Sequence, residues 1–310
     1  GGLGHKYIAG SGFANNLYWM TTLLGMGILF AVSTLVSEVF GEKKEWRAIS
    51  IYRSGIKVAL VLSVIFTALL YFILYNLEIF KQNDEVNQLA FRFLRILIPT
   101  TAFVFLFTAA KQFLDGTGRT KIGMAVTIGG LALNVLLNYV LIYGHFGFPK
   151  MEIEGAALAT GIARVVMTIA LLIIIWRDRK IEKLRKEFLL KATETKSYVA
   201  DILRVGIPAG LQFFWEVAAF GAAQIMSGWL GISSEASHQI AINLASITFM
   251  VLTGISAAGN IMTGYQYGAK SIEGIRMAGN IVFTLTFGIE VLFAIMFFSC
   301  HNLLPLLYTN

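Results

Sequence analysis

The chain has 310 residues, of which 56% are hydrophobic and only 14% are charged. Its mean hydropathy is +0.70, whereas a soluble domain typically carries about 25% charged residues. This composition excludes an ordinary soluble domain and is typical of a polytopic membrane protein. The net charge of +7 does not indicate a nucleic-acid partner, because Lys and Arg concentrate between the apolar segments. The single cysteine, Cys300, excludes a disulfide framework and a cysteine-based metal cluster.

Eight apolar segments follow one another along the chain, and each is long enough to cross a bilayer, which needs about 20 helical residues. Backbone groups in lipid must be satisfied internally, which leaves helices or closed barrels. These segments are too long and too uniformly apolar to be barrel strands. The predicted fold is an all-α polytopic membrane protein with eight transmembrane helices. The segments are Tyr7–Phe40, Gly55–Leu77, Leu89–Ala110, Ile122–Tyr143, Gly155–Trp176, Val205–Leu230, Ala236–Tyr267 and Met277–Cys300.

The loops between these segments alternate in charge. Those at 41–53, 111–121, 177–204 and 269–276 are basic, whereas those at 78–88, 144–154 and 231–239 carry one Lys or none. The positive-inside rule places the basic loops in the cytoplasm, so that Gly1 and Asn310 both lie outside. In the longest of these loops, Ile181, Leu184 and Phe188 recur at helical spacing. We expect this part of the connector to be an amphipathic helix at the inner leaflet.

An ungapped internal repeat links the two ends of the chain. A shift of 227 residues pairs Gly41 with Gly268, and it also pairs Asn16 with Asn243, Gly27 with Gly254 and Lys43 with Lys270. Both copies place their basic loop inside, so they are parallel repeats, as in some transporters. The second copy has a helix before its shared part, and the first copy lacks one.

From the repeat we expect an intact protein of twelve helices in two lobes, of which this chain is an internal fragment. The predicted domains are an N-terminal lobe at 1–176 without its first helix, a cytoplasmic basic connector at 177–204, and the first three helices of the C-terminal lobe at 205–310.

Several motifs resemble those of the multidrug and toxic compound extrusion (MATE) family of secondary transporters. The stretch Phe113–Thr160 carries FLxGxGxT, LNxxLN, GxxGxP and GAAxAT in that order. Pro208–Glu216, PAGLQFFWE, resembles the start of the family's seventh helix, and Ser237–Leu244, SHQIAINL, resembles the opening of the eighth. The acidic residue at Glu216 resembles that of the NorM-like branch. The resemblance implies a secondary active antiporter that exports cationic or amphipathic drugs and toxic compounds in exchange for Na+ or H+, by alternating access between two lobes.

Glu216 is the first candidate for the functional chemistry, because an ionisable group well inside an apolar segment is costly and marks a functional site by default. Its carboxylate can exchange a proton, bind Na+ or meet a cationic substrate; the alternative is a buried carboxylate satisfied by Gln212 one turn away.

Asn134 and Asn138 are four residues apart and share one helix face. Their carbonyls suit Na+ or a substrate donor, or they serve only in hydrogen bonds between helices.

Several further polar residues complete the candidate set. Asn243 and its repeat partner Asn16 either face each other across a cavity or make helix contacts, and the second reading is favoured. Gln212 and Thr160 are candidate lining groups. Arg164 is expected to pair with carbonyls or an acid. Glu290 is either a second coupling site or the partner of a missing helix.

The candidate cation- and substrate-binding residues are therefore Glu216, Gln212, Asn134, Asn138, Asn243 and Thr160. We expect no catalytic residue, no cofactor other than the coupling ion, and no metal beyond Na+ at Glu216. The expected partners are small cationic or amphipathic molecules and the lipid bilayer, with no nucleic acid, and the protein is expected to be a monomer in the bacterial inner membrane.

The alternatives are a lipid-linked oligosaccharide flippase of the same superfamily, which needs a more basic cavity, and a membrane-embedded enzyme or receptor. Enzyme motifs such as H-E-x-x-H and G-x-S-x-G are absent from the sequence.

Overall fold

The structure is a computed structural model that describes residues 5–80, 82–147, 149–191, 196–229 and 232–301. These residues form helices and their connections, with no strand among them. Among the described residues, eight stretches are long and apolar enough to cross a membrane, which confirms the predicted number of transmembrane segments. The helices are α1 His5–Gly41, α2 Ala48–Tyr75, α3 Asp84–Leu97, α4 Thr101–Gly116, α5 Thr120–Tyr143, α6 Glu152–Arg177, α7 Arg179–Leu190, α8 Val199–Trp229, α9 Ile232–Gly268 and α10 Ile272–Ser299.

The third membrane span is interrupted in its middle. One turn of 3-10 helix, Ile98–Thr100, separates α3 from α4. It contains Pro99, which has no backbone N–H and cannot make the hydrogen bond that would continue α3. The sequence predicted one continuous segment, Leu89–Ala110, whereas the structure has a break within it. The proline explains this break. It brings two hydroxyl side chains, Thr100 and Thr101, to the break.

The connector contains the predicted amphipathic helix, α7, but that helix does not lay its apolar face on lipid. Asp178 caps its N-terminus by accepting a hydrogen bond from the backbone N–H of Lys180 at 2.9 Å. The apolar residues Ile181, Leu184 and Phe188 are buried. They are buried because α7 packs on α2 and on the short 3-10 turn, Glu45–Arg47, that precedes α2. The Arg53 guanidinium covers the Phe188 ring at 4.7 Å. The predicted amphipathic helix is confirmed, its three apolar residues pack on protein, and its position at the inner leaflet remains a prediction.

The described chain divides into two compact units, one within Gly1–Val36 and Lys44–Phe214 and the other within Ser37–Lys43 and Trp215–Asn310. The division falls inside α8 and near the end of α1. The predicted division into two lobes and a connector remains a prediction.

The first unit has a core formed by α1, α2, α3 and α6. Its buried residues include Tyr18, Leu70, Leu94 and Ile153. In lipid such packing gains van der Waals contact, since lipid tails are as apolar as leucine. Elsewhere in this unit α8 approaches α1 closely through small residues. A Cβ atom on Gly210 would lie 2.7 Å from the Leu24 carbonyl oxygen, so this crossing requires a glycine.

In the second unit, the end of α1 meets the end of α9 in a way that reproduces the repeat. A side chain on Gly41 would collide with the carbonyl of Tyr265, and one on Gly268 would collide with the carbonyl of Glu38. Each of these two contacts becomes the other under the shift of 227 residues. Lys43 and Lys270, also paired by that shift, have positive φ angles of 61° and 55°. The repeat seen in the sequence is thus also a repeat of local backbone geometry at these positions.

Candidate functional site

A ladder of hydrogen-bonded side chains joins α5 to α6 within the first unit. The Asn138 side-chain amide donates to the Asn134 Oδ1 at 3.0 Å, and the Asn134 amide donates to the Thr160 Oγ1 at 3.3 Å. The Thr160 hydroxyl in turn donates to the Ala156 carbonyl at 2.9 Å. The asparagines meet because they are one turn apart on the face of α5 that packs on α6. Three of the predicted site residues are thus brought together.

This ladder ends in an acceptor that is not used. The Asn138 Oδ1 is buried, and no hydrogen bond reaches it from any residue that the structure describes. Its assignment as the oxygen follows from the network, because the Asn138 nitrogen is the group that donates to Asn134. A buried acceptor without a donor is unfavourable. The ladder can therefore accept a hydrogen bond from a protonated amine or supply an oxygen ligand to a cation.

Arg164 lies one helical turn beyond Thr160 and halfway along α6. Its guanidinium donates to the Thr100 Oγ1 at 3.2 Å and lies over the Tyr18 ring, with 4.4 Å between the guanidinium carbon and the ring centroid. The Tyr18 hydroxyl donates to the Thr101 Oγ1 at 3.3 Å. The sequence led us to expect a carbonyl or an acid beside Arg164. The described partners are instead a hydroxyl, at the break between α3 and α4, and an aromatic ring.

Thr100, Thr101 and Tyr18 were not among the candidate residues, although the sequence contains a signal for two of them. Pro99 stands in the middle of the predicted segment Leu89–Ala110, and a proline inside a membrane helix frees backbone groups that nearby Ser or Thr side chains can satisfy. No comparable signal marks Tyr18, because an aromatic residue in an apolar segment is usual.

The second unit contains Glu216, half-buried in α8. Among the described residues of that unit, no hydrogen bond or ion pair reaches its carboxylate. Asn243, in α9, is exposed. Gln212 belongs to the first unit and is also exposed, as is Asn16. Apart from the ladder on α5 and α6, the candidate residues are not drawn into one cluster within either unit, and their roles remain predictions.

An ionic cluster lies at the predicted outer ends of α1, α3 and α6. The Arg92 guanidinium pairs with the Glu154 carboxylate at 2.9 Å, and the Tyr7 hydroxyl donates to the Glu152 carboxylate at 2.7 Å. The bond to Glu152 raises the pKa of Tyr7 above its usual value, because a carboxylate acceptor favours the protonated phenol. The Arg92–Glu154 ion pair ties α3 to α6.

No group of His, Cys, Asp and Glu side chains suited to a metal ion occurs among the residues that the structure describes.

The spans, the loop charges and the repeat define a multi-pass helical membrane protein with parallel internal repeats. The MatE family model matches residues 1–140 and 208–310. The chain belongs to the MatE family. This confirms the resemblance to that family seen in the sequence motifs.

The curated relatives are bacterial proteins described as probable multidrug resistance protein NorM. One from Bacillus cereus is 28% identical over 94% of this chain and 65% of its own length. Another, from Geobacillus kaustophilus, is 30% identical over 98% of this chain and 67% of its own length. The chain therefore spans about two thirds of the length of the curated relatives that it matches. These relatives place it among multi-pass proteins of the bacterial cell membrane.

Solved structures of the same fold cover nearly the whole chain. A transporter of the MOP superfamily from Pyrococcus furiosus, whose title refers to a reverse polarity of its binding pocket, aligns with a TM-score of 0.86 at 22% identity, over 99% of this chain and 67% of its own. A eukaryotic MATE transporter aligns with a TM-score of 0.86 at 20% identity, over 100% of this chain and 68% of its own. At these identities the likeness shows the fold alone, and it confirms the all-α MATE-like architecture.

Proposed function

We propose that this chain is the substrate-binding part of a secondary antiporter that exports cationic or amphipathic compounds in exchange for Na+ or H+. Membership of the MatE family supports this proposal, as does the description of its relatives as multidrug resistance proteins. The parallel repeat supports alternating access, because two similarly oriented lobes can rock against each other around a central site.

The observation that carries the proposal is the ladder that ends at Asn138. Its three side chains satisfy one another except for one buried acceptor, the Asn138 Oδ1. An unused acceptor at membrane depth attracts a donor or a cation. A protonated amine supplies both a donor and a positive charge, so the ladder suits a cationic substrate better than a neutral one.

Glu216 is the residue to which we assign ion coupling. It lies well inside α8, whereas the other acidic side chain of that helix, Asp201, is in the first turn. Charged residues inside such spans are rare unless they act in transport or pair with another group. Among the described residues of its unit, none forms a hydrogen bond or an ion pair with its carboxylate. The carboxylate can therefore bind either Na+ or a proton in one lobe orientation and release it in the other.

The test is efflux of a cationic dye from cells that lack their own pumps, with the full-length protein and its Glu216→Gln variant. We expect the wild type to lower dye accumulation and the variant to abolish that effect, because glutamine keeps the shape but cannot carry the exchangeable charge. Glu273→Gln is the matched control, since it makes the same chemical change in the first turn of α10. Vesicles energised by either a Na+ or a proton gradient identify the coupling ion.

Unchanged efflux in Glu216→Gln would remove this residue from the mechanism. Failure of the wild-type protein to export any cationic compound under either gradient would count against the function itself.

A further inference from the structure

The connector around α7 carries more positive charge than its own acids balance. Residues 177–191 contain seven Lys and Arg side chains and three acids. Each of these acids is already paired with a cation, and the pairs are Asp178 with Arg119, Glu182 with Lys186, and Glu187 with Lys191. Five cations remain, and no hydrogen bond or ion pair with a described residue reaches their side chains. They are Arg177, Arg179, Lys180, Lys183 and Arg185.

The unpaired cations of α7 include the side of the helix that faces away from protein. Its buried side is formed by Ile181, Leu184 and Phe188. Helical spacing places Arg179, Lys183 and Leu190 on the opposite side, and all three are exposed, as is Lys180. We call these four residues, Arg179, Lys180, Lys183 and Leu190, the basic surface of α7.

α7 runs beside the ends of two membrane spans. The span formed by α6 ends at Arg177, and α7 begins two residues later. Near the other end of α7, the Phe188 ring lies 4.7 Å from the Arg53 guanidinium, which belongs to the first turns of the span Glu45–Tyr75. The helix is thus held at the level where spans end, and lipid headgroups occupy that level.

Two large apolar side chains close to these cations are also exposed. Trp176, next to the last residue of α6, is 65% exposed, and Leu190 is 86% exposed. A tryptophan at the end of a span is typical of a membrane interface. A phospholipid presents a phosphate and hydrocarbon at the same surface, so it matches both the cations and the apolar side chains. A soluble polyanion would match the cations alone.

We propose that the basic surface of α7 binds the headgroups of anionic phospholipids in the leaflet beside the connector. Its cations contact the phosphates, and Leu190 contacts the acyl region next to them. A basic segment at the end of a span attracts anionic lipid, and each charge strengthens the attraction about fivefold. The apolar residues Ile181, Leu184 and Phe188 fix α7 on protein, which leaves the cations facing outward.

Native mass spectrometry of the detergent-purified full-length protein tests this proposal, because it resolves individual bound lipids. Dioleoyl phosphatidylglycerol is the anionic probe, and dioleoyl phosphatidylcholine, with the same acyl chains and no net charge, is the neutral one. The test variant combines three substitutions that break no described ion pair: Arg179→Gln, Lys180→Gln and Lys183→Gln. The control variant removes the same number of charges from exposed positions in two other basic connections: Lys121→Gln, Lys270→Gln and Arg276→Gln.

We expect the wild type to bind phosphatidylglycerol about tenfold more tightly than phosphatidylcholine, well within the combined effect of three surface charges. The test variant should lose most of this preference, and the control variant should keep it. Equal binding of the two lipids by the wild type overturns the proposal. The same loss in both variants also overturns it, because the preference would then reflect overall charge rather than α7.

Two further measurements keep the test decisive. If the combined variant cannot be purified, Lys183→Gln replaces it with an expected loss of about fivefold, and an unchanged preference overturns the proposal. Glycerol phosphate and a short single-stranded oligonucleotide are added as competitors at the concentration of the bound lipid. Retention of phosphatidylglycerol supports a lipid site, whereas its displacement by either competitor shows a general site for soluble anions and overturns the proposal.

Discussion

Arg164 and Glu216 are both ionisable residues inside long apolar helices, but their surroundings differ. Arg164, in the first unit, is held by a hydroxyl and an aromatic ring and stands one turn from a ladder of amide and hydroxyl groups. Glu216, in the second unit, is half-buried and has no described hydrogen-bonding partner in that unit. One charge lies among fixed partners, whereas the other has none among the described residues of its unit.

This difference suggests a division of labour. A charge held by fixed partners is suited to joining helices, because breaking its contacts would leave buried donors unsatisfied. A charge without a fixed partner is suited to carrying an ion, since its occupancy can change at little structural cost. We therefore assign helix packing to Arg164 and coupling to Glu216, and the following predictions test this assignment.

The largest expected effect is on uphill transport by Glu216→Gln. In vesicles with an imposed ion gradient, we expect the accumulation ratio of the cationic dye to fall to about one, while its dissociation constant, measured by fluorescence polarisation, stays within about threefold of the wild-type value, less than one charge-assisted hydrogen bond contributes. Loss of binding in parallel with loss of transport would show that Glu216 holds the substrate rather than the coupling ion, and the division of labour would be abandoned.

Asn138→Leu should weaken binding of a dye that carries a protonated amine by about tenfold, since the dye loses a charge-assisted hydrogen bond to the ladder. Val135→Leu, a change on the exposed side of α5, is the control. Equal affinities in Asn138→Leu and wild type would restrict the ladder to a role in helix packing.

Thr100→Val should give the smallest effect. It removes the hydroxyl that accepts a hydrogen bond from the Arg164 guanidinium but leaves the contact with the Tyr18 ring, so we expect the melting temperature to fall by about 2 °C, the effect of a single hydrogen bond, with no change in dye affinity. Thr127→Val is the control, because the described hydrogen bond of that hydroxyl goes only to the carbonyl of Gly123 in its own helix. A fall no greater than that of the control would remove this hydrogen bond from the packing of α6, and a loss of dye affinity would place Arg164 at the binding site instead.

Part of the candidate site could be predicted from sequence because its residues act through local spacing. Asn134 and Asn138 are four apart on one helix, and their shared face follows from helical geometry alone. Arg164 stood out for its depth, yet its partner was predicted wrongly. The hydrogen bond to Thr100 joins residues 64 positions apart, and such a pairing depends on how α6 packs against α4 rather than on any local pattern.

The sequence by itself determined the membrane class, the number of spans and the internal repeat. Each of these follows from composition, from segment length or from self-similarity, which are properties of the chain before it folds. The tertiary structure decided that the apolar face of α7 packs on protein instead of lipid, that the span broken at Pro99 delivers Thr100 to Arg164, and that Gly41 and Gly268 meet. These depend on which helix faces meet, because in lipid the choice among apolar faces is made by close packing and by polar partners rather than by hydrophobicity.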